Sequence, residues 1–177
     1  MANEAHLEKL LSYDRQDFNR WRLDNSDIRI DLSHAELAGL NLANYYLFQA
    51  NLSNADLSES KLDNTDFSSA YLMEADLSES SLTSAELPYA DLSDANLSHA
   101  DLTSAKLQFA NLSYAHISDA ILHFADLSSA NLTGSDLTNS DLSSSNLSGA
   151  LLVRSLLENT NFNHCAVFGI SVWDTDG

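Results

Sequence analysis

Side chains that could act in hydrolytic triads or bind metals are abundant in this chain of 177 residues. It contains 26 acidic residues and six histidines, together with many serines. Because so many combinations can be drawn from this stock, no single one is informative about catalysis. The most metal-like group is His99, which lies twenty residues after Glu79 and twenty before Asp119. Such side chains on a solvated face are weak ligands without a third fixed partner. We therefore predict that these three residues form a row on the surface and do not bind a metal.

A five-residue repeat determines where these side chains lie. A leucine or another apolar residue stands at the centre of every unit from Leu32 to Val172, and the period never slips. Two positions before each centre lies a small residue, usually alanine, and Asp or Asn mostly fills the position between them. The two residues after the centre are mainly Ser, Thr, Asn, Glu, Gly or aromatic. Residues 90–102 show the pattern without interruption, as ADLSDANLSHADL.

This period excludes a helix and favours extended chain. Five residues of α-helix turn through about 500°, so the central residues would spiral around every face and no helix could bury them all. In extended chain, residues two apart point the same way, which places the small residue and the leucine on one side and the Asp or Asn on the other. The last two residues must bend the chain. The pattern therefore predicts an all-β solenoid of short strands and corners, with Leu and Ala inside.

The A-(D/N)-L-X-X motif of residues 30–172 resembles that of the pentapeptide-repeat family, most of all its bacterial and cyanobacterial members. The resemblance implies a right-handed quadrilateral β-helix with four pentapeptides per coil. The 29 centres then give about seven coils, and at ~4.8 Å per coil the rod is roughly 34 Å long. It also implies that residues twenty apart stack on one another.

The first 29 residues do not follow the repeat, and they predict an N-terminal helical cap. Asn3 is a candidate N-cap for a helix, and Asp14 with Asp17 could cap a second one, so one kinked helix and two helices are both open. A solenoid needs its open end covered, because the first coil otherwise exposes apolar core and unpaired strand edges. The inward small positions of the first coil are enlarged, as Leu40 and Tyr45, so that they can meet the cap.

The predicted domains are thus the cap at 1–29, the β-helix at 30–172 and a C-terminal tail at 173–177. In the closing repeats, Phe168, Ile170 and Trp173 are expected to cover the last coil or contact a partner. Whether a further domain follows is open.

Composition limits the function. The single cysteine, Cys165, excludes an intrachain disulfide and occupies a small inward position. The N-terminus lacks a long apolar stretch, which predicts no signal peptide, no membrane span and a cytoplasmic protein. A convex rod filled by Leu and Ala has no pocket, so we expect neither enzymatic activity nor a cofactor. After residue 29 there are 20 acids and three bases, and this net negative charge disfavours direct nucleic acid binding.

Two surfaces are candidates for contact with a partner. The most acidic face is predicted to carry Glu36, Asp56, Glu59, Asp76, Glu79, Asp119 and Asp136. The most aromatic face is predicted to carry Tyr46, Phe48, Tyr89 and Phe109. Exposed aromatics are enriched at interface hot spots, and a rim of Asp66, Glu86 and Asp126 calls for a partner with a basic border. The alternative is that these corner aromatics only pack on their neighbours in the adjacent coils. The partner's identity is open, and the rod is expected to be a monomer or an end-to-end dimer.

These features predict a non-enzymatic scaffold that binds a protein. The alternative is a DNA mimic that inhibits or protects DNA gyrase, since the family includes fluoroquinolone-resistance proteins that resemble DNA. Duplex DNA of roughly 34 Å carries about 20 charges, which is close to the charge of the repeat region. Against this alternative, the carboxylates are spread over four faces and no loops project from the rod. It therefore ranks second.

Overall fold

The computed structural model describes residues 2–172 of the chain. The predicted C-terminal tail, residues 173–177, and with it the predicted role of Trp173, lies outside the described residues.

Each pentapeptide forms one β-turn and one bridging residue. In the unit centred on Leu92, the carbonyl of Leu92 accepts a hydrogen bond from the N–H of Ala95 at 3.1 Å. Asp94, the third residue of this turn, has a φ of 57°. A positive φ at that position, without one at the preceding residue, is characteristic of a type II turn. Every fifth residue from His34 to Gly169 repeats this conformation, which explains the two turn-forming positions of the motif.

The coil contains twenty residues, as the family resemblance implies. Parallel bridges join each outward residue to the one twenty positions later, from Asp31 with Asn51 to Leu151 with Ser171. Four pentapeptides therefore make one coil, and each coil pairs its backbone with the next. The predicted short strands reduce to isolated bridges, because turns on both sides leave only one residue per side in the ladder. The right-handed winding stays a prediction.

The core is a continuous column of the inward positions. The central leucines and the alanines two positions before them are buried from Leu32 to Leu152. Serine and threonine replace alanine at some of these positions because their hydroxyls find carbonyl partners. Ser80 donates to the carbonyl of Leu77 at 2.6 Å, and Thr65 donates to that of Leu42 in the preceding coil at 2.7 Å.

The N-terminal segment forms two helices, which settles the alternative between one and two. α1 covers Glu4–Ser12 and α2 covers Arg15–Asp24. The Asn3 side chain accepts from the N–H groups of Ala5 and His6, and Asp14 accepts from the N–H of Asp17 at 2.9 Å. Both predicted N-caps therefore satisfy N–H groups that lack a partner in the first turn of a helix.

The two helices supply the first coil with backbone partners that a preceding coil would give. The Asn3 N–H donates to the carbonyl of Asp31 and the Asp31 N–H donates to His6 Nδ1, both at 3.0 Å. On another side of the coil, the Asn19 side-chain amide donates to the carbonyl of Asn44 at 2.8 Å and accepts from the N–H of Tyr46 at 2.9 Å. The cap thus supplies partners on two of the four sides of the first coil, which protects part of the edge that a missing coil would leave open.

An apolar contact accompanies these bonds. Phe18 of α2 is fully buried, and its ring centroid lies 5.3 Å from that of Tyr45 in the first coil. The enlarged inward residue of the first coil therefore meets the cap, as predicted.

The other end of the described rod is more open. Leu157 and Phe162 are partly buried against the core, whereas Phe168 is 89% exposed and does not cover the coil. Ile170 packs partly against the core, and Cys165 is half-buried with its thiol 3.0 Å from the carbonyl of Leu142. None of the helices described is both long and apolar enough to cross a membrane.

Candidate partner-binding surface

The polar residues singled out for metal chemistry lie on solvated corners. Glu79, His99 and Asp119 each occupy the positive-φ position of their turn and are exposed. Within residues 2–172, no three His, Cys, Asp or Glu side chains are grouped so that they could hold a metal ion.

The predicted acidic face forms an ordered series. Glu36 bridges with Asp56, and Asp56 bridges with Asp76, so three carboxylates follow one another along one side. Asp56 and Asp76 accept from the hydroxyls of Ser58 and Ser78 at 2.6 Å. Beyond Asp76 the series is interrupted by Asn96 and His116 before Asp136. The remaining members, Glu59, Glu79 and Asp119, are exposed on the adjacent corner.

The four predicted aromatic residues divide into two pairs, and the first pair contacts the cap. The Arg22 guanidinium lies 4.0 Å from the centroid of the Phe48 ring and donates to the Phe48 carbonyl at 2.8 Å. The Tyr46 N–H donates to Asn19. Both aromatic residues are half-buried, so they belong to the contact between the cap and the first coil.

The second pair, Tyr89 and Phe109, forms an exposed stack. The ring centroids are 5.0 Å apart and the rings are inclined by 3°, as the twenty-residue coil predicts. The residues are 63% and 53% exposed. Both backbones have a φ of 59°, a region that bulky residues rarely adopt and that Asn, Asp and Gly adopt more easily. The chain therefore keeps two large rings where small polar residues would be favoured.

On the side of the rod that precedes this stack, Glu86, Lys106 and Asp126 follow one another from coil to coil. Lys106 pairs with Glu86 at 2.7 Å, and the Gln108 amide donates to Asp126 at 2.7 Å. Burial raises the pKa of Asp126, but hydrogen bonds from Ser128, Gln108 and Asn146 outweigh it and hold that pKa below its ordinary value. Asp126 is therefore ionised at neutral pH.

The structure also shows aromatic residues that we did not select from the sequence. Tyr114 and Phe124 are 57% and 59% exposed at two other corners, and the Tyr114 ring lies against Gly134. Tyr71 carries the Arg29 guanidinium 3.8 Å from its ring centroid. The sequence could have identified them as exposed aromatic residues, because the period of five assigns every residue to an inward, outward or corner position.

Arg22 was also missed as a structural residue. It is fully buried and donates to the carbonyls of Asn25, Ile28 and Phe48. Burial lowers its pKa, an effect that the nearby Asp66 carboxylate opposes. Its spacing of four residues from Phe18, on the same helix face, was the available signal.

Comparison with known proteins agrees with this geometry. The family model described as pentapeptide repeats matches in eight copies, over residues 28–62, 50–87, 80–119, 100–139, 120–159 and 140–167. The chain belongs to the pentapeptide-repeat family.

Solved structures of other pentapeptide-repeat proteins are similar to this rod. HetL, a pentapeptide-repeat protein involved in heterocyst differentiation regulation from the cyanobacterium Nostoc sp. strain PCC 7120, is 26% identical with a TM-score of 0.52. The match covers 99% of this chain and 94% of HetL. The protein alr5209 from Nostoc PCC 7120 is 27% identical over 72% of this chain and 84% of its own, with a TM-score of 0.33.

A trypsin-treated form of QnrB1, a plasmid-mediated fluoroquinolone resistance protein, is 14% identical over 80% of this chain and 86% of its own, with a TM-score of 0.39. This likeness is too weak to carry a functional argument. No curated protein matches the chain significantly by sequence.

Proposed function

We propose that this pentapeptide-repeat protein is a non-enzymatic scaffold that binds a protein partner through the Tyr89–Phe109 stack. The observation that carries the proposal is the exposure of two stacked rings on left-handed turn residues. Exposed rings favour association, and large side chains at positive φ cost conformational energy. Aromatic residues are also the side chains enriched at the centres of protein interfaces.

The form of the rod supports a binding role over catalysis. Leucine and alanine side chains fill its interior, and its outward side chains lie on flat sides and corners. HetL, which is similar in fold, takes part in regulation, and that precedent supports a regulatory binding role here. We further propose that the protein is cytoplasmic and that it is a monomer or an end-to-end dimer.

The test is affinity capture from the source cell with matched variants. Serine occupies the same ladder position at Ser69 and Ser129, so a Tyr89→Ser/Phe109→Ser variant should keep the fold. The control is Tyr114→Ser/Phe124→Ser, which removes as many exposed rings from other corners. We expect the control to capture the same partner as the native rod and the Tyr89/Phe109 variant to lose it. Capture that is equal for all three proteins would refute the proposal.

A second function, inhibition or protection of DNA gyrase by DNA mimicry, has one observation in its favour. From residue 30 onward the sequence has 20 acids against three bases, and three of these carboxylates are stacked along one side. If it mimics DNA, the rod should inhibit gyrase supercoiling at low salt and lose the effect steeply as salt rises. No inhibition at micromolar protein and low salt would exclude this function.

A further inference from the structure

The cap shows what covers aromatic rings along one edge of the rod. This edge, which we call the aromatic edge, is formed by the turns at residues 48–49, 68–69, 88–89 and 108–109 and the outward residues that follow them. At its first turn, the Arg22 guanidinium lies 4.0 Å from the centroid of the Phe48 ring. Beside its second turn, the Arg29 guanidinium lies 3.8 Å from that of Tyr71. Two aromatic residues in succession are thus each covered by an arginine.

The same edge continues to Tyr89 and Phe109, where no such cover exists within residues 2–172. No Lys or Arg of the described chain lies over either ring. Lys106, the nearest base in sequence, has its ammonium group on Glu86 at 2.7 Å. At the two ends of the stack, the ladder neighbours are Ser69 and Ser129, which are too small to cover an aromatic face.

The charge around the stack is negative and suits a guanidinium group. Glu86 and Asp126 belong to the row of bridging residues that precedes the Tyr89 and Phe109 turns along the chain. Asp91 belongs to the row that follows these turns. The depressed pKa of Asp126 keeps it ionised. A guanidinium group is planar and weakly hydrated, so it can stack on a ring while its N–H groups reach carboxylates, whereas a lysine ammonium is a compact and strongly hydrated charge.

We infer that the Tyr89–Phe109 stack binds an arginine side chain of the partner protein. The inference rests on the proposed function, whose binding surface it uses, and it names the chemistry of the partner. The guanidinium would lie on an outer ring face, as those of Arg22 and Arg29 do on Phe48 and Tyr71, with the rim carboxylates accepting its hydrogen bonds.

An NMR titration of the isotope-labelled full chain tests the inference. The probe is an eight-residue peptide of alternating Gly and Arg, and the matched probe has Lys in place of Arg, so the two differ only in the cationic group. The ring resonances of Tyr89 and Phe109 report contact in the native chain, and the backbone amide resonances of residues 86–91 and 106–111 give the affinity in every variant. We expect the Arg peptide to shift both ring signals and to bind about threefold or more tightly than the Lys peptide.

Variants locate the binding. The Tyr89→Ser/Phe109→Ser variant should bind the Arg peptide about tenfold more weakly than the native chain. The Tyr114→Ser/Phe124→Ser variant should bind it with unchanged affinity. Equal affinity for the two peptides, or no change in the Tyr89/Phe109 variant, would show general attraction to an acidic rod and overturn the inference.

Failure of this inference is distinguishable from failure of the proposed function. If cellular capture depends on the two rings but the peptides bind equally, the scaffold function stands and the arginine chemistry is wrong. If the Arg peptide selects the rings but cellular capture does not depend on them, the arginine site stands and the proposed function is wrong.

Discussion

At the scale of the residue, the inward and outward positions of the pentapeptide differ in what they tolerate. Ala100 is fully buried in the column of small residues, and leucine would replace its methyl group with an isobutyl group inside that filled core. We expect Ala100→Leu to lower the free energy of unfolding by about 1–3 kcal/mol through overpacking. Thermal and denaturant unfolding would measure this change.

The neighbouring Asp101 is the matched control. Its side chain faces outward and accepts one hydrogen bond, from the N–H of Thr103 at 2.9 Å. Asp101→Ala should therefore cost less than about 1 kcal/mol. Equal losses for the two substitutions would contradict the assignment of inward and outward positions.

The outward carboxylates also predict a dependence of stability on pH. The Ser143 hydroxyl, which also shares a hydrogen bond with His123 Nδ1 at 2.8 Å, and the Ser143 N–H, at 2.9 Å, both interact with the Asp141 carboxylate and lower its pKa below the ordinary value of 3.8. A carboxyl whose pKa is depressed on folding contributes stability that is fully present above its unfolded pKa. That contribution is lost as the pH falls through the folded pKa.

We therefore expect the melting temperature to decrease as the pH is lowered below about 4. The decrease should be smaller in Ser143→Ala than in the native protein. The variant loses the hydroxyl donor, so its Asp141 pKa lies closer to the unfolded value. Melting curves between about pH 2 and pH 6 would measure the difference, and identical pH profiles would contradict the role assigned to Ser143.

At the scale of the element, the two helices replace the coil that would precede the first one. Their side chains satisfy backbone groups of Asp31, Asn44, Tyr46 and Phe48, and Phe18 covers the apolar end. Deleting residues 1–29 should expose Leu40, Tyr45 and an unpaired edge, and cause self-association. Sizing chromatography and melting curves would detect this change. A truncated protein that stays monomeric with an unchanged melting temperature would show that the segment is not a cap.

The positions of residues in the coil could be predicted well from the sequence because the same five-residue pattern applies to every unit. Alternation in extended chain fixes which residues face inward, and the Leu and Ala positions follow without knowledge of distant contacts. The same alternation predicted strands where the structure has single bridges, because the turn residues occupy more of each side than alternation alone suggests.

The contacts of the cap could not be predicted in the same way. Arg22 reaches Phe48 and Arg29 reaches Tyr71 through long side chains whose directions depend on how the helices sit on the coil. For that reason Tyr46 and Phe48 were grouped with Tyr89 and Phe109, although the cap contacts only the first pair. The period placed the stacked pair correctly because it depends on the coil alone.

At the scale of the whole molecule, the protein is a rod with a closed interior, a covered first coil and an exposed aromatic stack near its middle. Binding through such a side surface leaves both ends of the rod out of the contact. The most direct test of this binding mode is site-specific photocrosslinking in the source cell.

Benzoyl-phenylalanine would replace Phe109 in one protein and Phe124 in another. The two positions are matched, since both are corner residues with a φ of 59° and are 53% and 59% exposed. Irradiation should give a discrete adduct with a protein partner from position 109 and none from position 124. Adducts of equal yield at the two positions, or an adduct from position 124 alone, would contradict the claim that the Tyr89–Phe109 stack is the binding surface.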